Sequence, residues 1–304
     1  MKVDISMGII ERVCGLCLVL SMVFSIVYFG GGTILAESPE PSTQKPVTSK
    51  EAGEESRIED RTFVASNDRS EQKYVLVYPA GFDFAKPVSL LIALHGHGSD
   101  RWQFVKQKRG ECSGTREVAK RYGMLLVSPD YRATTSWMGP KAEADLVQII
   151  DTLKKRFTVD NVIVSGGSMG GTGAFTFTAR NPELVDGVVS LNGTANLVDY
   201  KKFSAAIAAS FGGSRTDIPN VYRDRSAEFF PERFTMPIAA TTGGGDAVVP
   251  PESVLRLLKS VREKNERVLS IHRPEGGHST NHEDTVRAFE FVISRLNNTK
   301  ADRD

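Results

Sequence analysis

A serine flanked by glycines is the feature of this sequence that most directly indicates chemistry. Gly166-Gly167-Ser168-Met169-Gly170 follows the apolar run 162–164 and leads into the glycine- and alanine-containing segment 171–177. A buried strand, a glycine-flanked serine and a helix together form a nucleophile elbow, in which a sharp turn exposes the serine hydroxyl. Glycine is needed two residues before and after the serine because side chains there would collide with the flanking strand and helix. The motif predicts that Ser168 is a nucleophile, although five such residues alone could also form a plain glycine-rich turn.

A serine hydroxyl is a poor nucleophile at neutral pH, so the chain must also supply a base and a carboxylate. Asp246 follows the apolar run 237–242 through three glycines, and His278 follows the run 268–272 in the segment RPEGGHSTNH. Each residue therefore comes after a predicted strand, in the order Ser, Asp, His that nucleophile-elbow hydrolases use. We predict a catalytic triad of Ser168, Asp246 and His278.

Each partner has an alternative interpretation. Asp246 could be a turn residue behind three glycines, since Asp is common in turns. His278 could be an ordinary loop residue, with His272 or His282 as the base. His272 lies inside a predicted strand, where the sheet would fix its side chain, and His282 lies near a predicted helix start. The two glycines before His278 favour it, because they suit a side chain that must swing over the serine.

The loop after the strand 89–94 is a candidate oxyanion-binding segment. It reads His95-Gly96-His97-Gly98, and in a parallel sheet it faces the nucleophile elbow. Backbone N–H groups there, together with that of Met169, could bind the oxyanion of a tetrahedral intermediate. We predict the N–H of His97 as the donor, with that of Gly98 as the alternative, and a structural role for the His95 side chain.

The His-x-His spacing of this loop is also how binuclear zinc hydrolases begin. Those hydrolases continue with Asp-His, whereas here Gly98-Ser99-Asp100 follows, and the remaining ligands are missing. We therefore expect neither a metal ion nor another cofactor.

The candidate residues lie between alternating apolar runs and amphipathic periods. Short continuous apolar runs predict strands covered on both faces, and apolar residues at helical spacing predict helices over 146–157, 254–261 and 286–296. This alternation predicts an α/β fold, with a mostly parallel central sheet and helices on both faces. In such a sheet the loops at the carboxyl ends of the strands carry the chemistry. Residues 201–234 fit the rhythm poorly and are expected to form an insertion over the site. The strand runs are 74–78, 89–94, 124–128, 162–165, 188–191, 237–242 and 268–272.

Composition bounds the class of partner. The 304 residues are 40% hydrophobic and 25% charged, and their formal net charge of +1 gives no field that would attract nucleic acid. Two of the three cysteines, Cys14 and Cys17, lie in the N-terminal apolar segment. Cys112 is then alone in the body of the chain, where a lone cysteine is most often a small buried side chain.

The N-terminal part is expected to be a targeting segment. Residues 13–29 are almost continuously apolar and are followed by three glycines and by Ala36, which favours a secretory signal cleaved after Ala36. An uncleaved membrane anchor is the alternative, since the run reaches the lower limit for spanning a bilayer. We expect residues 1–36 to be this signal or anchor, 37–60 a disordered linker, 61–298 the catalytic domain and 299–304 a polar tail.

Five segments carry a family resemblance over residues 74–296: LIALHGHGSD, MLLVSPDYR, GGSMGGTGAF, GGGDAVVPPESV and PEGGHS. The chain resembles the serine esterases of the α/β-hydrolase superfamily, notably the secreted feruloyl and acetylxylan esterases and polyhydroxybutyrate depolymerases. It is also similar to catalytic domains of the prolyl oligopeptidase type. The resemblance implies an α/β-hydrolase fold, the triad named above and an oxyanion donor at His97. The depolymerases usually have a cysteine after His-Gly and further disulfides, so His97 argues against a polyester substrate.

These observations predict an exported serine hydrolase that cleaves carboxylic esters, free or linked to polysaccharide, through an acyl-enzyme. A serine peptidase with the same triad is one alternative, and a non-catalytic binding protein of this fold is another. Such a binding protein would be expected to lack a triad member, and the sequence has all three. Trp102 and Trp137 follow predicted strands on the same side as the catalytic groups, so each could line a substrate pocket or pack in the core or at its rim.

Overall fold

The structure, a computed structural model, describes residues 56–301, and these contain an eight-stranded sheet. Its strand order is β1-β2-β4-β3-β5-β6-β7-β8. Strand β2 is antiparallel to both its neighbours, β1 and β4. The other six strands run parallel to one another, in the sheet order β4, β3, β5, β6, β7 and β8. The strands are β1 Ile58–Val64, β2 Glu71–Val77, β3 Val88–Leu94, β4 Leu125–Pro129, β5 Val159–Gly167, β6 Gly187–Leu191, β7 Ile238–Gly243 and β8 Val268–Arg273.

Helices cover both faces of the sheet. Alternate residues of β3 point to opposite sides, so that Leu90 and Ile92 join one apolar core while Leu91 and Ala93 join the other. Helices α2 and α8 close the second core, and α3, α4 and α7 close the first. The predicted mostly parallel α/β sheet is therefore confirmed. The helices are α1 Gln103–Lys106, α2 Gly110–Arg121, α3 Pro140–Arg156, α4 Met169–Arg180, α5 Ser204–Phe211, α6 Pro219–Asp224, α7 Glu252–Arg262 and α8 His282–Ala301.

Two predicted boundaries are wrong. Residues 58–60, assigned to the linker, belong to β1, a strand that pairs along its whole length with β2. Its sequence IEDRTFV is polar enough to resemble a tether because it is an edge strand whose residues are all partly or fully exposed. Residues 299–301, assigned to the polar tail, continue α8. The predicted signal or anchor, the remainder of the linker and residues 302–304 lie outside the described residues.

Two further elements of the fold bear on the site. Helix α2 has no counterpart among the predicted helices, because its buried side is mostly small or polar, including Cys112, Thr115 and Ala119. The segment 201–234 forms the short helices α5 and α6 between β6 and β7. Within residues 56–301, no helix combines the length and the apolar character that crossing a bilayer requires.

Candidate active site

Ser168 occupies a strained turn between β5 and α4. Its φ of 56° and ψ of −117° are unusual for a residue with a side chain, and its N–H donates to the carbonyl of Leu191 at 2.7 Å. The flanking glycines are required sterically. A Cβ on Gly170 would lie 1.9 Å from the carbonyl oxygen of Leu94, and one on Gly166 would lie 2.4 Å from the carbonyl carbon of Gly170. The local geometry is that of a nucleophile elbow.

The structure brings Ser168, His278 and Asp246 into one hydrogen-bonded chain. The Nε2 atom of His278 lies 2.8 Å from the Oγ of Ser168, and its Nδ1 lies 2.7 Å from the Oδ2 of Asp246. The carboxylate side chain is fully buried, whereas the imidazole is 25% exposed. An ionised carboxylate only accepts hydrogen bonds, so Nδ1 carries the proton and Nε2 is free to accept one from the serine hydroxyl.

The backbone holds the carboxylate of Asp246 in one orientation. Its Oδ1 accepts hydrogen bonds from the N–H groups of Val248 and Val249 at 2.8 and 2.9 Å, in the loop before α7. Only Oδ2 is then directed at His278. The aspartate therefore sets the position of the imidazole as well as its tautomer.

Asn192 is a residue of the site that the sequence reasoning missed. It follows β6 with a φ of 52°, and its side-chain amide donates to the carbonyl of Gly277 at 3.4 Å, directly before His278. Its Oδ1 accepts hydrogen bonds from the hydroxyls of Thr280 and Thr241. Asn192 thereby ties the loop of His278 to the carboxyl ends of β6 and β7. The available signal was an asparagine followed by glycine directly after a predicted strand.

The two alternative histidines lie elsewhere. His272 is an exposed residue of β8 whose Nδ1 lies 2.9 Å from the hydroxyl of Thr242. His282 begins α8 and contacts Ser113 and Glu117 of α2, at 2.9 and 2.7 Å. Neither ring contacts Ser168.

The loop 95–98 lies against the elbow. The N–H of Gly98, the alternative oxyanion donor, is already donated to the carbonyl of Thr134 at 2.7 Å. Among residues 56–301, the N–H groups of His97 and Met169 donate to no carbonyl or side chain. Both are therefore available to a ligand at Ser168.

The side chain of His95 is fully buried behind this loop. Its Nδ1 and Nε2 lie 2.9 and 3.2 Å from the carbonyl oxygens of Gly96 and Asp130. The hydroxyl of Tyr131 donates to the backbone carbonyl of His95 at 2.5 Å. Burial lowers the pKa of His95 below its usual value. These contacts agree with the structural role expected for this residue.

The side chain of His97 lines the cavity at Ser168. The indole N–H of Trp137 donates to its Nδ1 at 3.1 Å, which requires the tautomer with the proton on Nε2. Burial lowers the pKa of His97 and so favours this neutral form. The ring of Phe203 packs against the imidazole with centroids 4.3 Å apart.

The cavity over Ser168 has a volume of about 480 Å³. Leu191, Phe203 and Val248 supply its apolar side chains. Its polar side chains come mainly from the segment between β3 and α2 and from the loop of His278: Ser99, Gln103, Gln107, Arg109, Glu111, Asn192, Ser279 and Thr280.

Neither of the tryptophans proposed for a substrate pocket lines this cavity. Trp137 is buried beneath His97, and Trp102 lies outside the cavity, with the ammonium of Lys106 3.7 Å from the centre of its ring. The pocket assignment of both residues is therefore wrong for this cavity. The aromatic side chain that does line it, Phe203, belongs to the 201–234 insertion.

Between residues 56 and 301, no group of three or more His, Cys, Asp or Glu side chains is placed to hold a metal ion. The single cysteine of this part of the chain, Cys112, is buried, and burial raises the pKa of its thiol to about 11. A protonated, enclosed thiol is a poor nucleophile.

Comparison with known proteins assigns the family. The model of the prolyl oligopeptidase family matches residues 131–298, which is more than half of the chain. The chain belongs to the prolyl oligopeptidase family. Its similarity to dipeptidyl aminopeptidase BIII of Pseudoxanthomonas mexicana is 23% identity over 258 residues. That match covers 75% of this chain, which spans 36% of the length of the relative.

Solved structures of a hydrolase and of a peptidase share the fold. An S-formylglutathione hydrolase from Agrobacterium tumefaciens superposes with a TM-score of 0.62 at 16% identity, covering 82% of this chain and 99% of that one. An acylaminoacyl peptidase from Pyrococcus horikoshii gives a TM-score of 0.60 at 15% identity, covering 79% and 42%. The chain therefore has the α/β-hydrolase fold that the resemblance of its motifs implied.

Proposed function

We propose that this member of the prolyl oligopeptidase family hydrolyses carboxylic esters at Ser168. The observation that carries the proposal is the hydrogen-bonded chain from Asp246 through His278 to the Ser168 hydroxyl, at 2.7 and 2.8 Å. In this assignment Ser168 is the nucleophile, His278 the general base and Asp246 the group that orients the imidazole.

The reaction proceeds in two acyl-transfer steps. His278 Nε2 takes the hydroxyl proton as Ser168 Oγ attacks the ester carbonyl, and the proton then passes to the leaving alcohol oxygen. A water molecule, deprotonated by the same nitrogen, attacks the acyl-enzyme, and the proton returns to Ser168 as the acid leaves. Asp246 stabilises the imidazolium that forms in each step.

The developing oxyanion needs donors that are already in place. We assign this role to the N–H groups of His97 and Met169, which have no other acceptor among the described residues. Met169 begins α4, so the partial positive charge at the N-terminus of that helix supports the same interaction.

An ester is the less demanding substrate for this triad. An alkoxide or phenolate leaves with less help from the general acid than an amine, whose departure requires full protonation by the imidazolium. A triad that cleaves amides therefore also cleaves matched esters, whereas the reverse does not hold. We accordingly propose an ester as the substrate class, either a small molecule or an ester linked to polysaccharide.

The proposal is tested by kinetics on chromogenic esters of graded acyl length and aromatic content, together with labelling by a fluorophosphonate probe. The wild-type protein should turn over at least one ester series and be labelled at Ser168. The Ser168→Ala variant should lose both properties while keeping its fold by circular dichroism. Ester turnover that persists in a folded Ser168→Ala variant would contradict the assignment.

Peptide hydrolysis is the second candidate, favoured by the similarity to a dipeptidyl aminopeptidase and by a carboxylate in the cavity. Glu111 lies in the cavity wall with its Oε1 3.1 Å from Arg109 Nε, and its side chain could also hold the terminal ammonium of a peptide. Dipeptidyl chromogenic amides with free and with acetylated N-termini test this function. Cleavage that requires the free amine and is lost in Glu111→Gln would establish the peptidase function.

We further propose that the protein is exported, on the strength of the apolar run 13–29 and of Ala36. N-terminal sequencing of the protein purified from its native cells tests this. A mature chain that begins at Glu37 supports a cleaved signal. A chain that begins at Met1 supports the anchor if it fractionates with the membrane, and contradicts export if it is found in the cytosol.

A further inference from the structure

The side chain of Gln103 is buried between the loop 95–98 and the elbow. It is 1% exposed, although glutamine is usually found at the surface, and it is the first residue of the four-residue helix α1. Its Oε1 accepts the N–H of Gly96 at 2.8 Å. Burying an amide without hydrogen-bond partners costs free energy, so the hydrogen bonds of a buried glutamine are expected to have a specific role.

The peptide between Gly96 and His97 lies beside the nucleophile. A Cβ on Gly96 would lie 3.5 Å from the carbonyl oxygen of Gly167 and 3.8 Å from the Cβ of Ser168. A rotation of this segment would therefore move the N–H of His97 with respect to the carbonyl carbon that Ser168 attacks. Gly96 lacks a side chain that could restrict its own backbone, so an external contact must do so.

Other contacts hold the remaining residues of the loop. The ring and carbonyl of His95 bind Asp130 and Tyr131, and the N–H of Gly98 binds the carbonyl of Thr134. For the N–H of Gly96, the hydrogen bond to Gln103 is the one contact shown within residues 56–301. The carbonyl of Gly96 accepts the N–H of Ser99 at 3.1 Å and lies 2.9 Å from the Nδ1 of His95. Gln103 thus holds the N–H side of the residue directly before the proposed oxyanion donor.

We propose that Gln103 is a positioning residue for the oxyanion hole, acting through Gly96 on the backbone N–H of His97. This inference rests on the proposed hydrolase function. Its consequence is specific: loss of the Gln103 acceptor should weaken binding of the transition state and leave binding of the substrate nearly unchanged. A residue that only stabilised the fold would lower the unfolding temperature without this separation.

The test compares two substitutions at Gln103 in the full-length protein. Gln103→Met keeps the length of the side chain and removes the acceptor, whereas Gln103→Glu keeps an acceptor oxygen. Because a misplacement of about 1 Å can cost roughly 10²-fold in rate, we expect kcat to fall by about 10²-fold in Gln103→Met, with KM changed by less than about threefold. Gln103→Glu should stay within about tenfold of the wild-type kcat.

The matched control is Gln148, whose Oε1 also accepts a backbone N–H, that of Ser66, at 2.8 Å. It lies on α3 and has no contact with the loop 95–98, so Gln148→Met should leave kcat within about twofold of the wild type. If Gln103→Met does not fold, Gln103→Asn replaces it, because the shorter side chain withdraws the same oxygen from Gly96 and carries the same expectation.

A trifluoromethyl ketone with the acyl group of the preferred ester provides the second readout. It forms a hemiketal oxyanion with the serine, so its inhibition constant should rise in parallel with the loss of kcat in Gln103→Met. A folded Gln103→Met variant with wild-type kcat and wild-type affinity for the inhibitor overturns the inference. An equal loss of kcat in Gln103→Met and Gln103→Glu, with the inhibition constant unchanged in both, also overturns it. A wild-type protein that shows neither ester turnover nor Ser168 labelling overturns the proposed function itself.

Discussion

Replacement of Asp246 by asparagine tests the most specific consequence of the site geometry. In the wild type, Oδ1 accepts the N–H groups of Val248 and Val249 while Oδ2 faces His278. In the variant, the amide oxygen must stay on the side of the two backbone donors, since an NH₂ group there would oppose both of them. The NH₂ group is therefore directed at the Nδ1 of His278 and forces that nitrogen to become an acceptor.

This change reverses the tautomer of the imidazole. With the proton on Nε2, His278 can no longer accept the proton of Ser168, although the three side chains keep their positions. A triad whose geometry is intact but whose tautomer is wrong loses about 10⁴-fold in kcat, or roughly 5.5 kcal/mol at 1.36 kcal/mol per tenfold. Ser168→Ala should cost more, about 10⁶-fold, because it removes the nucleophile.

The assay combines steady-state ester hydrolysis with nitrogen NMR of His278. The wild type should show a protonated Nδ1 and an unprotonated Nε2, and Asp246→Asn should exchange the two. The folding control is Asp199→Asn, which changes an exposed aspartate that contacts Asn196 and not the triad. Asp246→Asn with kcat within tenfold of the wild type, or with the wild-type tautomer, would refute this reasoning.

Four further predictions follow from other features of the site and the fold. His278→Ala should lose nearly as much kcat as Ser168→Ala, while His272→Ala and His282→Ala stay within about tenfold of the wild type; an active, folded His278→Ala variant would remove the base assignment. Ester hydrolysis should survive prolonged chelation, and a loss that added zinc restores would instead indicate metal-assisted chemistry. Gly170→Ala should lower the free energy of unfolding, measured with denaturant, by about 3 kcal/mol or more, because its Cβ would lie 1.9 Å from the carbonyl oxygen of Leu94. Gly277→Ala is the control, since its Cβ would meet no atom within 4 Å and should change stability little. Burial lowers the pKa of His95 below its usual 6.5, so the unfolded chain binds this proton more readily and the free energy of unfolding falls as the pH drops below about 6.5. His95→Gln should reduce the difference in free energy of unfolding between about pH 8 and pH 5. An unchanged difference would contradict this prediction.

The central sheet could be predicted from the sequence because burial on both faces leaves a strong pattern. Continuous apolar runs such as 89–94 and 162–165 lie within the strands β3 and β5. The elements that were missed lack that pattern. Strand β1 is an exposed edge strand, and the buried side of α2 is largely small or polar, so neither shows a periodicity that separates it from a loop.

The three residues proposed for the triad could be picked out from the sequence because each follows a strand, which restricts them to one edge of the sheet, and the structure places them within hydrogen-bond distance of one another. Asn192 was not found, because its function depends on contacts across 54 to 88 positions of sequence, with Asp246, Gly277 and Thr280. The pocket assignments of Trp102 and Trp137 failed for a related reason. Both follow strands at the correct edge, but side-chain direction decides whether such a residue enters the cavity or the core, and the sequence contains no direct signal for that direction.

The contacts that support the loop 95–98 likewise could not be predicted from the sequence. The segment 130–138 lies behind the loop 95–98 and contacts it through a carbonyl of Asp130, the hydroxyl of Tyr131, a carbonyl of Thr134 and the indole of Trp137. Half of the non-glycine residues with positive φ among the described residues belong to this segment: Tyr131, Arg132, Trp137 and Met138.

Such conformations cost free energy and persist only where the surroundings impose them. Here the partly buried Arg132 is held by ion pairs with Asp68 and Asp145, at 2.9 and 2.6 Å, which fix the segment to the β1–β2 turn and to α3. The strain is thus located behind the backbone that carries the N–H of His97, the proposed oxyanion donor, which a rigid support would keep in place. Glycine at these four positions would relieve the strain and also loosen the support.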